Sequence, residues 1–155
     1  MEGTSFCSKE DFQFFVHALK EFDCMIMGRL TYNLNKSAIQ KGIQLKRLRK
    51  IVTHDPDKWT HETVTNCIEF SNATPQDLIN ELENRGFERC ALLGGTQIYS
   101  EYLSANLIDE LWLTLEPRLF GSGKPLATGE IDLSFKLKSL EKLSEDTALL
   151  KYSRA

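Results

Sequence analysis

The sequence lacks any apolar run approaching the ~20 residues that a membrane-spanning helix needs. It also lacks a basic excess: its net charge is −3, whereas general nucleic-acid binders are strongly basic. The N-terminus has neither a basic start nor an apolar segment, so we expect no signal peptide. From these absences we expect the protein to bind neither a membrane nor a nucleic acid.

Cysteine is sparse, and no pair has the close spacing of a zinc ribbon or a redox motif. The sequence therefore predicts no metal site. Cys24 and Cys90 lie in apolar runs and are expected to be small buried hydrophobic residues. Free thiols fit a reducing compartment, so a cytoplasmic location is expected.

The 155 residues, of which 41% are hydrophobic, are enough for one domain with a real core. Strands and helices alternate through the first two-thirds, and a run of strands closes the chain. This order predicts an α/β fold, a three-layer αβα arrangement with a mostly parallel sheet and antiparallel C-terminal strands. In such sheets, ligands bind at the carboxyl ends of the strands.

Local signals place several helix ends. Ser8 is a good N-cap, and Asp11 three residues on is expected to return the bond in a capping box. Thr74 and Pro75 start a second helix, which Gly86 ends. An apolar stripe is predicted on the first helix from Phe12, Phe15, Val16, Leu19 and Phe22.

One basic cluster occurs in residues 41–50. A solvated surface loop and an anion site both explain it. Its members are Lys41, Lys46, Arg47, Arg49 and Lys50.

The central motif is residues 90–99, an apolar run followed by Gly94, Gly95 and a helix-like pattern. A helix start with glycines allows close approach of a ligand, and its N–H groups suit a phosphate. A plain structural turn, which is common where nothing binds, also explains the glycines. A similar strand-to-helix junction follows the buried strand 24–27 at Gly28, and if the two are neighbours their N–H groups face one diphosphate.

Four motifs resemble the dihydrofolate reductase-like superfamily, most closely the reductase domain of the RibD C-terminal type and its stand-alone relatives. The resemblance covers about residues 5–153, and the four motifs stand in the family's order and spacing. They are MIMGRLTY at 25–32, LGGTQIY at 93–99, LIDELWLT at 107–114 and PRLFGSGKPL at 117–126.

The resemblance implies an NADPH-dependent reductase that transfers hydride to a pteridine- or pyrimidine-like small molecule, and a homodimer is expected. It places Arg29 at the cofactor's 2′-phosphate and both glycine turns at the pyrophosphate, and a guanidinium suits a phosphate dianion. Ile98 and Tyr99 would lie beneath the nicotinamide, although core packing explains both. The cofactor-binding residues so implied are Gly28, Arg29, Thr31, Thr53, His54, Gly94, Gly95, Thr96, Gln97, Ile98 and Tyr99.

The resemblance also implies that Thr114 lines the substrate side. An acid on the first helix assists protonation in folate reductases, and Glu10 and Asp11 are the acids near that position. Helix capping explains both acids as well. The family's substrate motifs have no match in this sequence, so no substrate site is carried over.

The family's fold also begins with an interior strand ahead of the first helix, and we expect the domain of residues 1–155 to lack it. A shortened sequence, a rearranged or shared sheet, and a relative that binds nucleotide poorly all remain open. Two other function classes are therefore kept beside the reductase: a non-catalytic domain that works by self-association or partner binding, and a nucleic-acid module using residues 41–50.

Overall fold

The computed structural model describes residues 7–43 and 47–155, and these contain four α-helices and seven β-strands. Short 3-10 helices occupy Leu19–Glu21 and Pro56–Glu62. Within these ranges no helix combines the length and apolar character needed to cross a bilayer. In chain order the elements are α1 (Lys9–Ala18), β1 (Cys24–Gly28), α2 (Arg29–Lys41), β2 (Leu48–Val52), β3 (Ile68–Ser71), α3 (Pro75–Asn84), β4 (Cys90–Leu92), α4 (Thr96–Ser104), β5 (Glu110–Leu115), β6 (Phe135–Lys142) and β7 (Ala148–Arg154).

Four strands form a parallel sheet in the order β3-β2-β1-β4. β1 lies inside the sheet between β2 and β4, and its residues from Cys24 to Met27 are all buried. An apolar run of this kind is typical of a parallel strand covered on both faces. The strand predicted at 24–27 is therefore confirmed.

Successive β1 residues pack into two different layers. Cys24 and Ile26 join a core cluster with α3 and α4, whereas Met25 and Met27 join a cluster with α2. This alternation follows from the period of two along a strand. With helices on both faces of the sheet, the predicted three-layer αβα class is confirmed.

The last three strands form an antiparallel sheet in the order β5-β7-β6. The predicted antiparallel C-terminal strands are confirmed, but they make a second sheet, because β4 pairs with β1 and β5 pairs with β7. The second sheet lies against α1, where Trp112 of β5 contacts the rings of Phe14 and Phe22.

Both predicted N-caps are present. Ser8 Oγ accepts a hydrogen bond from the Asp11 N–H at 3.1 Å, and Thr74 Oγ1 accepts one from the Asp77 N–H at 3.2 Å. The return bond predicted from Asp11 is wrong, because the Ser8 N–H donates instead to Glu116 Oε1 at 2.8 Å. Tertiary contact with the residue after β5 replaces the local capping box.

The apolar stripe predicted for α1 does not coincide with its buried face. Phe12, Phe15 and Val16 are all more than 40% exposed, whereas Ala18 is buried. Leu19 and Phe22 do pack against the core, as predicted. Phe14, which is not part of the predicted stripe, contacts Trp112 instead. The face of α1 that points inward therefore differs from the one predicted from the sequence.

The basic cluster is not a solvated loop. Arg49 and Lys50 belong to β2 and are each 5% exposed. Lys50 Nζ donates to Glu81 Oε1 at 2.7 Å and to Glu69 Oε2 at 3.2 Å, while Arg49 donates to backbone carbonyls. Lys46 lies outside the described residues. Arg49 and Lys50 are buried and already bonded within the protein, so the five cations do not form one exposed surface that could bind an anion.

Candidate functional site

The two glycine turns lie side by side. The Gly28 N–H donates to Gly94 O at 2.8 Å, where β1 and β4 end as neighbours in the parallel sheet. Gly28 is the N-cap of α2 and Gly95 is the N-cap of α4, and neither helix start has a side-chain capping bond. The first N–H groups of both helices therefore open at one place, which we call the glycine edge.

The glycines meet different demands. A Cβ on Gly94 would lie 2.5 Å from the Tyr99 ring, and Gly94 has a φ of +81°, so glycine is needed for the fold itself. Gly28 is also packed, because a Cβ there would lie 3.0 Å from Ile98 Cγ1. For Gly95 the nearest atom is Thr31 Oγ1 at 3.7 Å, so the backbone at this residue is open to approach.

The other predicted residues of α4 have separate surroundings. Thr96 Oγ1 donates to Pro125 O at 2.7 Å, which fastens the loop after β5 to the helix start. Gln97 is exposed and bonds Glu101 along the helix. Ile98 is buried in the core, and Tyr99 lies between Gly94 and the cavity described below, where burial raises the pKa of its phenol.

Arg29 opens α2 at the glycine edge, and its guanidinium lies 5.6 Å from the ring centroid of Trp59. Trp59 is stacked on Phe70 at 5.5 Å with an interplanar angle of 17°. Sequence reasoning missed Trp59 as a site residue, since it is 30 positions from Arg29. The available signal was its place in the segment between β2 and β3, because segments that follow parallel strands meet at one edge of the sheet.

Thr53 and His54 follow β2 at the same edge of the sheet. The Thr53 N–H donates to Ser71 O at 2.9 Å, so Thr53 continues the pairing with β3. His54 is exposed. Both residues lie one strand away from the Gly28 turn, on the side away from Gly94.

A cavity of about 500 Å³ lies between the two sheets and reaches the residues around the Gly94 turn. Asp11 and Thr114 both line it, together with Tyr99. Glu10 does not line it and is exposed on α1. Of the two candidate acids, only Asp11 lines the same cavity as Thr114, the residue predicted to face the substrate.

The contact between α1 and β5 leaves the Asp11 carboxylate outside the helix cap. Because Glu116 takes the Ser8 N–H, Asp11 contributes only its own N–H to Ser8 Oγ. The Ser8 bonds hold the pKa of Glu116 below its usual value. The pKa of the Cys7 thiol is raised to about 11, mainly by burial and secondly by its hydrogen bond to Asp11. Cys7 therefore stays protonated beside the Asp11 carboxylate at neutral pH.

The arrangement has two chemically distinct ends. The glycine edge offers backbone N–H groups and a guanidinium, which suit phosphate groups. The cavity offers aliphatic and aromatic walls, and its lining also includes the Asp11 carboxylate, the hydroxyl residues Tyr99 and Thr114, and the charged residues Glu88, Arg89, Asp109 and Glu110. Among the described residues no cluster of His, Cys, Asp and Glu has the arrangement of a metal site.

A family model described as the RibD C-terminal domain matches residues 2–149. Two uncharacterized proteins of Bacillus subtilis strain 168, YyaP and YwjB, are 28% and 27% identical to this chain and cover 72% and 74% of it. The chain spans 63% and 65% of the length of these relatives.

Solved structures share the fold. A Shewanella sp. PV-4 protein assigned to riboflavin biosynthesis has a TM-score of 0.73 at 22% identity, with 99% of this chain and 84% of that chain covered. RibD of Acinetobacter baumannii gives 0.72 at 16% identity, covering 99% and 52%. A Thermotoga maritima diaminohydroxyphosphoribosylaminopyrimidine deaminase/5-amino-6-(5-phosphoribosylamino)uracil reductase gives 0.68 at 16%, covering 94% and 49%. At these identities the likeness concerns the fold.

Proposed function

Since the chain belongs to the RibD C-terminal domain family, we propose that it is an NADPH-dependent reductase of a pteridine- or pyrimidine-like substrate, with chemistry of the riboflavin-pathway type. The observation that carries this proposal is the 2.8 Å bond from Gly28 to Gly94, which joins two uncapped helix N-termini at one edge. The uracil reductase activity in the name of the Thermotoga relative supports the substrate class.

The glycine edge fits the phosphates of NADPH. The N–H groups at the starts of α2 and α4 would hold the pyrophosphate, because Gly95 leaves the backbone open there. Arg29 would hold the 2′-phosphate, with Thr53 and His54 towards the adenosine end. When bound, NADPH supplies the hydride, and the protein supplies placement.

Trp59 would position Arg29. The Trp59 ring stacks on Phe70 and lies under the Arg29 guanidinium. This cation–π contact would help to position Arg29 before a phosphate binds. Among the described residues, no carboxylate forms an ion pair with Arg29. The Arg29 charge is therefore available to the 2′-phosphate, the group that NADPH has and NADH lacks.

The cavity would hold the substrate ring. Asp11 would orient the ring and assist its protonation, and Thr114 would line the same cavity. The rings of Phe14 and Phe22 in the cavity wall would shield one side of the substrate from water, which would strengthen its interaction with the carboxylate.

Direct titration and turnover test this function. NADPH should bind saturably below about 1 mM, which is read from fluorescence of Trp59 near Arg29. Addition of 5-amino-6-(5-phosphoribosylamino)uracil should then cause loss of NADPH absorbance and formation of the reduced ribityl product. Absence of saturable NADPH binding would remove the proposal. Binding without turnover would keep the cofactor assignment and exclude this substrate.

We also propose a homodimer through the outer face of the second sheet. Strand register places Leu137 beside Tyr152 and Leu140 beside Leu150, and Leu137 and Leu140 are more than half exposed. The opposite face carries Trp112 beneath α1. A self-complementary apolar face of this kind suits a two-fold interface. Light scattering should give twice the monomer mass, and Leu140→Glu should give the monomer mass; a monomeric wild type would exclude the dimer.

All four cysteines are free thiols, at Cys7, Cys24, Cys67 and Cys90. Since thiols persist in a reducing compartment, we place the protein in the cytoplasm. Cell fractionation tests this location, and recovery in an oxidising compartment would contradict it.

A further inference from the structure

The segment between β2 and β3 carries Trp59 on an unusual helix. This is the 3-10 helix Pro56–Glu62, and none of its seven residues is fully buried. Helices of the 3-10 type that are longer than about four residues are uncommon, because their hydrogen bonds are poorly aligned. Such a helix needs contacts with the rest of the protein to hold one position.

Glu62 provides such contacts at the end of the 3-10 helix. Its Oε2 accepts a hydrogen bond from Tyr32 Oη at 2.7 Å, and its Oε1 accepts one from Lys36 Nζ at 2.6 Å. Tyr32 is completely buried on α2, and the Glu62 side chain is only 10% exposed. Burial alone would raise the pKa of Glu62, but the bonds from Lys36 and Tyr32 hold it below its usual value. The carboxylate is therefore charged at neutral pH.

The faces that Glu62 joins also carry Trp59 and Arg29. Residues three apart in a 3-10 helix lie directly above one another, so Trp59 and Glu62 share one face. Positions i, i+3 and i+7 share a face of an α-helix, which places Arg29 with Tyr32 and Lys36 on α2. The contacts follow this order, because the Arg29 guanidinium lies 5.6 Å from the Trp59 ring centroid while Glu62 bonds further along α2.

Phe70 of β3 contacts both elements. Its ring meets the Tyr32 ring edge-on, with centroids 5.5 Å apart at 89°, and stacks on the Trp59 ring at 5.5 Å and 17°. Aromatic pairs are favourable over centroid distances of about 4.5–7 Å, whereas hydrogen bonds weaken steeply outside a narrow range of distance and angle. The bond between Tyr32 and Glu62 therefore fixes the position of Trp59 more closely than the ring contacts do.

We propose that Glu62 is a positioning residue, which acts through Trp59 to hold Arg29 where the 2′-phosphate of NADPH would bind. The inference rests on the proposed function, because this phosphate belongs to the cofactor assigned there. Ordering a long side chain on binding lowers affinity by about 2- to 12-fold, and Glu62 removes part of that cost for Arg29 in advance. Glu62 thus bears on the preference for NADPH over NADH and not on hydride transfer.

Two substitutions at Glu62 separate position from charge. Glu62→Ala removes the carboxylate and leaves the buried Tyr32 hydroxyl without its acceptor. Glu62→Gln removes the same charge but keeps an oxygen that can accept from Tyr32. Calorimetric titration should show NADPH binding about fivefold weaker in Glu62→Ala and within about twofold of the wild type in Glu62→Gln, with NADH binding within about twofold in both.

Fluorine NMR follows Trp59 with no cofactor present. In protein labelled with 5-fluorotryptophan, Trp59 and Trp112 each give one resonance, which Trp59→Phe assigns. Glu62→Ala should shift the Trp59 resonance and leave that of Trp112 in place, whereas Glu62→Gln should leave both in place. Tyr32→Phe removes the same bond from its other partner, keeps the ring against Phe70 and should act in the same direction as Glu62→Ala.

Thr74→Ala is the control for general destabilisation, because it removes the N-cap bond of α3. It should lower the melting temperature and leave the ratio of NADPH to NADH affinity unchanged. A similar fall of this ratio in Thr74→Ala and Glu62→Ala would overturn the inference.

Three further results would overturn the inference and leave the proposed function standing. They are an unchanged affinity ratio in Glu62→Ala, an unmoved Trp59 resonance in that variant, and equal losses in Glu62→Ala and Glu62→Gln. Absence of saturable NADPH binding by the wild type would overturn the proposed function and the role of Glu62 together.

Discussion

The glycine edge and the cavity between the two sheets are adjacent, but the described residues bond the first together more fully than they enclose the second. At the glycine edge, residues within 7–43 and 47–155 bond the two turns to each other, and the Arg29 guanidinium lies 5.6 Å from the centroid of the Trp59 ring. Around the cavity, within the same described ranges, β4 pairs only with β1 and β5 pairs only with β7, so the two sheets are not joined there. The region proposed for the cofactor is therefore built by residues of the parallel sheet and its helices, whereas the region proposed for the substrate depends on the junction between the two sheets.

Substitution of the two acids at the start of α1 should give the largest difference between an effect on catalysis and an effect on cofactor binding. Asp11→Asn should lower kcat for aminouracil reduction by about 100-fold, because proton transfer or orientation by a carboxylate contributes on that order. NADPH affinity should stay within twofold. Glu10→Gln is the matched control, since Glu10 is exposed and does not line the cavity; an equal loss in both variants would remove Asp11 from the mechanism.

The Gly94 turn should be the most fragile point of the glycine edge. Gly94→Ala adds a Cβ 2.5 Å from the Tyr99 ring at a φ of +81°, and should lower the free energy of unfolding by about 3 kcal/mol. Thermal denaturation measures this loss. Gly123→Ala should change it by less than about 0.5 kcal/mol, because no atom lies within 4 Å of the added Cβ. Equal stability of the two variants would contradict the packing account.

Gly95 should behave in the opposite way to Gly94. A Cβ at Gly95 meets only Thr31 Oγ1 at 3.7 Å, so Gly95→Ala should leave the melting temperature nearly unchanged. It should weaken NADPH binding by about tenfold, because the methyl group stands where the phosphates approach the backbone. Isothermal titration measures the affinity, and an unchanged Kd would mean that the open backbone at Gly95 does not contact the cofactor.

Acid should weaken the parallel sheet through a single cluster. The Arg85 guanidinium, together with Lys50, holds the pKa of Glu69 at about 2, below its usual value near 4.5. A depressed carboxylate pKa contributes stability that is fully present above about pH 4.5 and is lost as pH falls towards 2.

Glu69→Gln should therefore cost about 1–2 kcal/mol at pH 6, after allowance for solvent screening, and progressively less as pH approaches 2. Urea denaturation at several pH values measures this difference. Glu83→Gln is the control, because this exposed side chain on the same helix as Glu81 should change stability by less than about 0.5 kcal/mol. A difference between wild type and Glu69→Gln that stays constant with pH would contradict the ion-pair account.

Local patterns were sufficient for much of the fold. Ser8 and Thr74 cap helices because each needs only an N–H three residues away. The buried strand at 24–27 and the two glycine junctions were also readable, since glycine and apolar runs act within a few positions. Whether those two junctions are neighbours stayed open, because strand order within a sheet depends on segments that are distant in sequence.

Features that depend on distant partners were not readable. The burial of Lys50 was not readable because its partners, Glu69 on β3 and Glu81 on α3, lie 19 and 31 positions further along the chain. The Asp11 return bond failed because Glu116, 108 positions from Ser8, takes the N–H. Trp59 was missed for the same reason. NADPH, the catalytic role of Asp11 and the homodimer remain predictions.

The most direct measurement of the central claim is the affinity of the wild type and Arg29→Gln for NADPH and for NADH, by calorimetric titration at one salt concentration. The account predicts that Arg29→Gln weakens NADPH binding by about 10- to 100-fold while NADH binding changes by less than about twofold, because only NADPH carries the 2′-phosphate. Equal effects on the two cofactors, or no saturable binding of NADPH by the wild type, would contradict it.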